Sequence, residues 1–225
     1  MKIAELFYSL QGEGSLVGVP SVFIRTSGCN LRCSWCDTPY ASWQPEGADL
    51  TLNQILDEVK AHPARHVVVT GGEPMIAPEI VPLTERLRRL GLHITIETAG
   101  TVFQPVACDL MSISPKLSNS TPRGTDWASR HDRLRIQPEV LRELMGRYPY
   151  QLKFVIEKPD DLGEVRALLE ELNAGERERV ILMPEGTDSA RLHERAQWLA
   201  EICKDEGFRF SPRLHVDLYG NRRGV

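Results

Sequence analysis

Cysteine is scarce in this chain, with 5 in 225 residues, and three of the five crowd into the stretch from Cys29 to Cys36. Small secreted scaffolds held by disulfides are far denser in cysteine, so a fold stapled by bridges is excluded. No apolar run approaches the roughly 18 residues that span a bilayer, and no membrane helix is expected. No signal sequence is legible either, so the expectation is a reduced, cytoplasmic protein. Positive charge is not in excess: 27 Lys and Arg face 31 Asp and Glu, for a net charge of -4. With a pI near 5.9, the chain lacks the cationic surface that broad nucleic-acid binding needs. What is present is ordinary globular composition, 41% hydrophobic and 26% charged. That is enough to bury a full core, and the expectation is a single domain over residues 1–225.

The cysteine cluster is the segment Cys29-Asn-Leu-Arg-Cys33-Ser-Trp-Cys36-Asp37-Thr38. Three thiolates do not close a structural zinc site, which takes four protein ligands. The nearest further candidates, His62 and His66, lie beyond a predicted helix. Spacing alone leaves open half of a zinc ribbon, or a disulfide with one free thiol. A 4Fe-4S cluster normally takes one thiolate per iron, so three cysteines would leave one iron free for an exogenous ligand. An open iron points to chemistry rather than electron transfer alone. Cys203 continues the Leu192, Ala196, Leu199 stripe at helical spacing, and Cys108 stands at the start of a predicted strand. Both read as buried apolar residues outside the cluster.

Taken in order, Ile3 to Leu10 and Val19 to Thr26 read as strands joined through Gln11-Gly12-Glu13-Gly14. Leu52, Ile55, Leu56 and Val59 fall at helical spacing behind the cap candidate Thr51, and His66 to Thr70 follows as a buried strand. The alternation recurs: a helix on Ile80, Leu83, Leu87 and Leu90, then strands from Leu92 to Glu97 and from Asp109 to Ser114. A helix from Val140 to Tyr148 precedes a strand from Gln151 to Ile156; a helix from Leu162 to Leu172 precedes a strand from Val180 to Met183. The last pair is a helix from Ser189 to Lys204 and a strand from Phe208 to Ser211. This predicts an α/β fold, a parallel sheet clad by helices that forms a partial (βα)6-type barrel with an extra N-terminal strand. Catalytic groups then belong just past the carboxyl ends of the strands. The cysteines, Thr70 to Pro74, Glu97 to Gly100 and Ser112 to Lys116 all fall there. Leu117 to Ile136 carries Arg123, Arg130, Arg133 and Arg135 with little apolar periodicity, a length that suits a lid, a binding loop or disorder.

The CxxxCxxC spacing with Trp35 before its last cysteine resembles the signature of the radical S-adenosylmethionine superfamily, and Gly71-Gly72-Glu73-Pro74 resembles its GGEP motif. Added to these are Phe7 to Gly14, Glu97-Thr98-Ala99-Gly100, Ser112 to Lys116 and the tail Arg213-Leu214-His215. Together they resemble the 7-carboxy-7-deazaguanine synthase family over nearly the whole chain. The resemblance implies a trimmed radical S-adenosylmethionine fold and a lyase. Its reaction is the magnesium-dependent ring contraction of 6-carboxy-5,6,7,8-tetrahydropterin to 7-carboxy-7-deazaguanine with loss of ammonia, toward queuosine-type deazapurines.

Carried over by residue, the resemblance implies that Cys29, Cys33 and Cys36 ligate a 4Fe-4S cluster. It puts Trp35, Thr70, Gly72, Glu73, Glu97, Ser114 and Lys116 against S-adenosylmethionine. Leu10, Gln11, Gly12, Glu13, Arg25, Thr70 and His215 then contact the pterin, and Thr38 gives an oxygen to Mg2+. A homodimer and an electron donor such as flavodoxin or ferredoxin are also implied, with no nucleic acid and no membrane. The residue types suit these roles: a carboxylate accepts from the amine edge of a pterin, and an Arg grips a carboxylate. Paired glycines would let a methionine-like group approach the backbone. Solvated loop ends carry the same residue types, and His215 reads equally as a satisfied histidine at a strand end. A final strand running into Arg213-Leu214-His215 is expected to carry His215 to the barrel mouth, and loss of this tail to affect the pterin site alone. A glycyl-radical activase and a zinc-stabilised binding module are the rival functions.

Overall fold

Alternate residues along the strands sort into two sets. Val67 and Val69, Ile94 and Ile96, Met111 and Ile113, Leu152 and Phe154, and Val180 and Leu182 pack with the helices in one core. Between them in sequence fall Thr95, Glu97, Ser112, Gln151 and Lys153, which the two-residue period puts on the opposite face. Such a sheet is covered by helices on its apolar face and leaves the polar face for a site.

The computed structural model describes residues 1–225. Its strands are β1 (Lys2–Leu10), β2 (Pro20–Thr26), β3 (Ala48–Asp49), β4 (His66–Gly71), β5 (His93–Thr98), β6 (Leu110–Ile113), β7 (Tyr150–Ile156), β8 (Val180–Pro184) and β9 (Arg209–Phe210). The helices are α1 (Leu52–Lys60), α2 (Ile80–Arg89), α3 (Ala128–Leu134), α4 (Pro138–Arg147), α5 (Leu162–Leu172), α6 (Ser189–Glu206) and α7 (Leu214–Tyr219). They build one nine-stranded sheet of order β3-β1-β2-β4-β5-β6-β7-β8-β9. From β2 to β9 every neighbouring pair is parallel, whereas β1 runs antiparallel to β2 and β3. The edges β3 and β9 do not meet, so the sheet is an open, partial barrel with the extra N-terminal strand expected from sequence.

Local chemistry sets several element ends. Thr51 caps α1 in a capping box with Gln54, a contact that stabilises a helix start by about 1 kcal/mol. The buried face of α1 is Leu52, Ile55, Leu56 and Val59, as the spacing predicts. No helix is long and apolar enough to cross a membrane.

Two stretches differ from the sequence expectation. The last strand is only Arg209–Phe210; Pro212, with no N–H to donate, cannot extend the ladder, and the chain turns into α7. His215 therefore sits in the first turn of a helix rather than at the end of a strand. In the rest of α7, Val216 is buried while Leu218 and Tyr219 are exposed. Leu117 to Ile136 is not irregular throughout: it contains a 3-10 turn at Ser118–Ser120 and helix α3, and His131 within it is fully buried.

Candidate active site

The loops that follow the carboxyl ends of the central strands enclose a cavity of about 460 Å³, a size typical of small-molecule sites. Cys29, Cys33 and Cys36 all line it. The backbone N–H of Leu31 donates to Cys29 Sγ at 3.3 Å, the Ser42 hydroxyl lies 3.1 Å from Cys36 Sγ, and Trp43 Nε1 donates to the Cys33 carbonyl at 3.0 Å. Burial pushes the Cys29 and Cys33 thiols up to about 12. A metal centre supplies the positive charge that lets such buried thiols ionise. No three Cys, His, Asp or Glu side chains are gathered as a single metal ion would hold them. A cluster instead takes one thiolate at each iron and does not need its ligands on one point. The donor set thus fits a 4Fe-4S cluster with one iron left open.

The two histidines nearest the cysteines in sequence, His62 and His66, are engaged elsewhere. His62 stacks on Tyr8 at 5.3 Å and His66 lies 4.6 Å from His93, ring centre to ring centre. The histidine that does reach the cysteine loop is His131, whose Nδ1 accepts from the Arg32 N–H at 3.1 Å. Its Nε2 meets the Ser120 hydroxyl at 2.9 Å, and that hydroxyl donates to the Leu117 carbonyl. The only assignment that suits all three bonds is a neutral ring with the proton on Nε2. Burial agrees, holding His131 down to about 4. Ser34 N–H donates to the Ser120 carbonyl and Trp35 Nε1 to the Asn119 carbonyl. The segment left open by sequence as lid, binding loop or disorder is thus a packed brace under the cysteine loop.

Gly72 and Glu73 serve a different physical purpose from the one expected of them. A Cβ on Gly72 would meet the Gly28 and Ala41 carbonyl oxygens at 2.2 and 2.4 Å, so the missing side chain admits the cysteine loop's own backbone. Glu73 is fully buried. Its carboxylate accepts from Thr98 Oγ1 at 2.7 Å, Ala99 N–H at 2.8 Å and Met75 N–H at 3.0 Å. Burial raises its proton affinity, and these bonds oppose that rise. The side chain ties the end of β4 to the end of β5 rather than entering the cavity, so S-adenosylmethionine would meet the backbone of this motif. Thr70, Gly72, Trp35, Glu97, Ser114 and Lys116 do line the cavity, and Lys116 Nζ donates to Ser114 Oγ at 2.8 Å.

Leu10, Gln11, Gly12, Glu13, Arg25, Thr38 and His215 line the same cavity, Thr38 next to Cys36. Gln11 Nε2 donates to Glu97 at 3.1 Å, and its Oε1 accepts from the Glu13 N–H at 3.1 Å. Arg25 Nε bonds Glu5 at 2.9 Å, and Glu5 also accepts from Tyr40. A Cβ on Gly12 would lie 2.0 Å from His215 Nδ1, so only glycine lets α7 dock on this loop. Burial pushes the His215 imidazole below its usual range despite the neighbouring Glu13.

Sequence reasoning missed Lys153 and the role of Arg213. Lys153 Nζ bonds one oxygen of Glu13, and Arg213 Nε bonds the other at 3.0 Å. Arg213 also bonds Asp37 and, at 2.5 Å, the Gly186 carbonyl. Burial alone would raise Glu13, yet the two cations hold it well below the usual carboxylate range. Lys153 was detectable as the lone charge in the strand Tyr150–Ile156. The end residues Asn221 to Val225 also line the cavity, with Arg223 stacked 3.4 Å from the Tyr40 ring centre; no sequence signal marks them.

Cysteine loop, glycine motif and open parallel sheet define a radical S-adenosylmethionine protein, and the model of the Radical SAM superfamily matches residues 23–116. The structure is similar to that of QueE from Escherichia coli, at TM-score 0.71 and 28% identity over 95% of this chain and 94% of that one. The sequence is 46% identical to 7-carboxy-7-deazaguanine synthase of Halobacterium salinarum, over 98% of this chain and 91% of that protein. It is 45% identical to the synthase of the same name from Rhodopirellula baltica, over 99% and 88%. The chain belongs to the 7-carboxy-7-deazaguanine synthase family. The activase and zinc-module readings do not account for this similarity along the full chain.

Proposed function

We propose that this chain is one radical S-adenosylmethionine domain that converts 6-carboxy-5,6,7,8-tetrahydropterin to 7-carboxy-7-deazaguanine, releasing ammonia, in queuosine-type deazapurine biosynthesis. The observation that carries the reading is the shared cavity, whose wall holds the three thiols together with Gln11, Glu13, Arg25, Lys153 and His215. When bound and given an electron by an external reductant, the cluster and S-adenosylmethionine would supply radical hydrogen-abstraction chemistry.

The protein's part is binding, orientation and exclusion of water. Cys29, Cys33 and Cys36 hold the cluster, and Ser114, Lys116, Glu97 and the backbone at Gly72 hold S-adenosylmethionine. Glu13, ionised by its cations, accepts from the amine edge of the pterin. Arg25, held by Glu5 through Nε, keeps its Nη pair for the substrate carboxylate. Gln11 bridges to Glu97 and so couples the pterin side of the cavity to the cofactor side. His215 closes over Gly12. Thr38, beside Cys36, offers one oxygen to a Mg2+ completed by substrate and water, which is normal for that ion. The working protein is a cytoplasmic homodimer reduced by a flavodoxin or ferredoxin.

The test is anaerobic reconstitution with iron and sulfide, then incubation with reductant, S-adenosylmethionine, Mg2+ and the pterin, read by mass spectrometry. The expected result is 7-carboxy-7-deazaguanine, with pterin consumed. Cleavage of S-adenosylmethionine with the pterin left intact would overturn the substrate assignment.

A further inference from the structure

Glu13 is the substrate-facing carboxylate, but nothing in its own loop keeps it charged. The groups that face it come from three other places: Lys153 from β7, Arg213 and His215 from the tail, and Asp37 from the cysteine segment. Glu97 of β5 also lies within electrostatic reach of Lys153. Lys153 and Arg213 are almost completely enclosed, with side chains 7% and 8% exposed, and they take one Glu13 oxygen each. Arg213 is shared with Asp37, whereas Lys153 makes its only ion pair with Glu13.

We infer that Lys153 is a positioning and specificity-determining residue: with Arg213 it clamps Glu13 from behind as a permanent anion, so that the cavity selects ligands presenting two adjacent N–H donors. The inference rests on the pterin reading above and deepens it. A carboxylate has about four lone-pair sites, and the two cations occupy one on each oxygen, leaving the others for a ligand. Kept ionised, the group is acceptor-only and matches the amine and ring N–H of a 2-aminopyrimidin-4-one edge. Without Lys153 the buried carboxyl takes up a proton more readily, becomes a donor on one oxygen and loses that match. A site built on such bonds rejects an analogue lacking the donor far more strongly than an apolar pocket does.

The experiment compares the reconstituted parent with Lys153→Met and Lys153→Arg. It reads pterin affinity at the oxidised, non-turning-over holoenzyme by calorimetry, and KM and kcat for the pterin from pH 6 to 9. For Lys153→Met, Kd and KM rise at least about tenfold while kcat changes less than about threefold, and the acid limb of kcat/KM moves to higher pH. Lys153→Arg restores both. Parent-like affinity and pH profile in Lys153→Met overturn the clamp while leaving the pterin reading standing. Should Lys153→Met lose its cluster absorption, Lys153→Arg decides: a recovered cluster without recovered affinity also overturns it. A parent that neither binds nor converts the pterin removes the substrate reading and the selectivity built on it.

Discussion

Glu13 Oε1 accepts from Arg213 Nε at 3.0 Å across 200 residues of chain, joining the first loop of the protein to its last segment. The same guanidinium bonds Asp37, next to Cys36. Arg213→Met leaves Glu13 with Lys153 as its one cation partner and leaves the partly exposed Asp37 with none. The expected cost is below the ~3–5 kcal/mol of a fully buried pair broken on one side, because Glu13 keeps Lys153 and solvent screens Asp37, and it is read as a lower denaturation midpoint. Deleting residues after Pro212 removes the same contact. Cluster occupancy is therefore expected to fall along with pterin turnover, contrary to the sequence expectation of a defect confined to the pterin site; iron content of the truncated protein checks this.

Alanine at Cys29, Cys33 or Cys36 is expected to abolish 5′-deoxyadenosine formation and to reduce bound iron after reconstitution. Cys108 and Cys203 are buried in the apolar core, and alanine there leaves the cluster absorption in place. Full activity in Cys33→Ala would falsify the ligand assignment.

Thr38 Oγ1 lies 3.8 Å from Cys36 Sγ, at the cavity wall. Thr38→Ala is expected to lose the rise in pterin turnover that Mg2+ gives the parent while keeping cluster absorption. An unchanged magnesium titration sinks the metal role.

Glu73→Gln turns an N–H2 toward a carboxylate site built from three donors. Mismatching a buried group in this way costs about 1–3 kcal/mol. Since these bonds tie the ends of β4 and β5 together, the dissociation constant for S-adenosylmethionine at the oxidised holoenzyme is expected to rise about tenfold. Calorimetry that finds parent affinity removes Glu73 from the site's support.

His131 gives a pH prediction. Its proton affinity is about 4 when folded and near the ordinary 6.5 when unfolded, so between those values the unfolded chain binds more protons. Stability contributed by the neutral ring is thus complete above about pH 6.5 and is lost as pH falls toward 4, by at most about 3 kcal/mol. His131→Asn keeps an acceptor for Arg32 N–H but does not titrate, and its denaturation midpoint is expected to fall less steeply over that range. Parallel slopes count against the brace.

The order of strands and helices, the parallel sheet and the cysteine and glycine motifs were legible because they rest on local rules. Two-residue and 3.6-residue periods report which face of an element is buried, and three thiols within one short loop are gathered whatever the rest of the chain does. Lys153 was missed, although the same rule marks it as one charge on an otherwise uncharged strand. Tertiary structure alone decided where the polar groups of the loops point. Glu73 turns inward because three donors from two strand ends converge on it, and Glu13 stays ionised because a strand 140 residues away and a tail 200 residues away deliver cations to it. Helices α3 and α7, of 7 and 6 residues, are too short to be stable by propensity and form because their surfaces dock, the one on the cysteine loop and the other on Gly12. Contacts of that kind depend on which distant surfaces meet, and no periodicity along the chain encodes them.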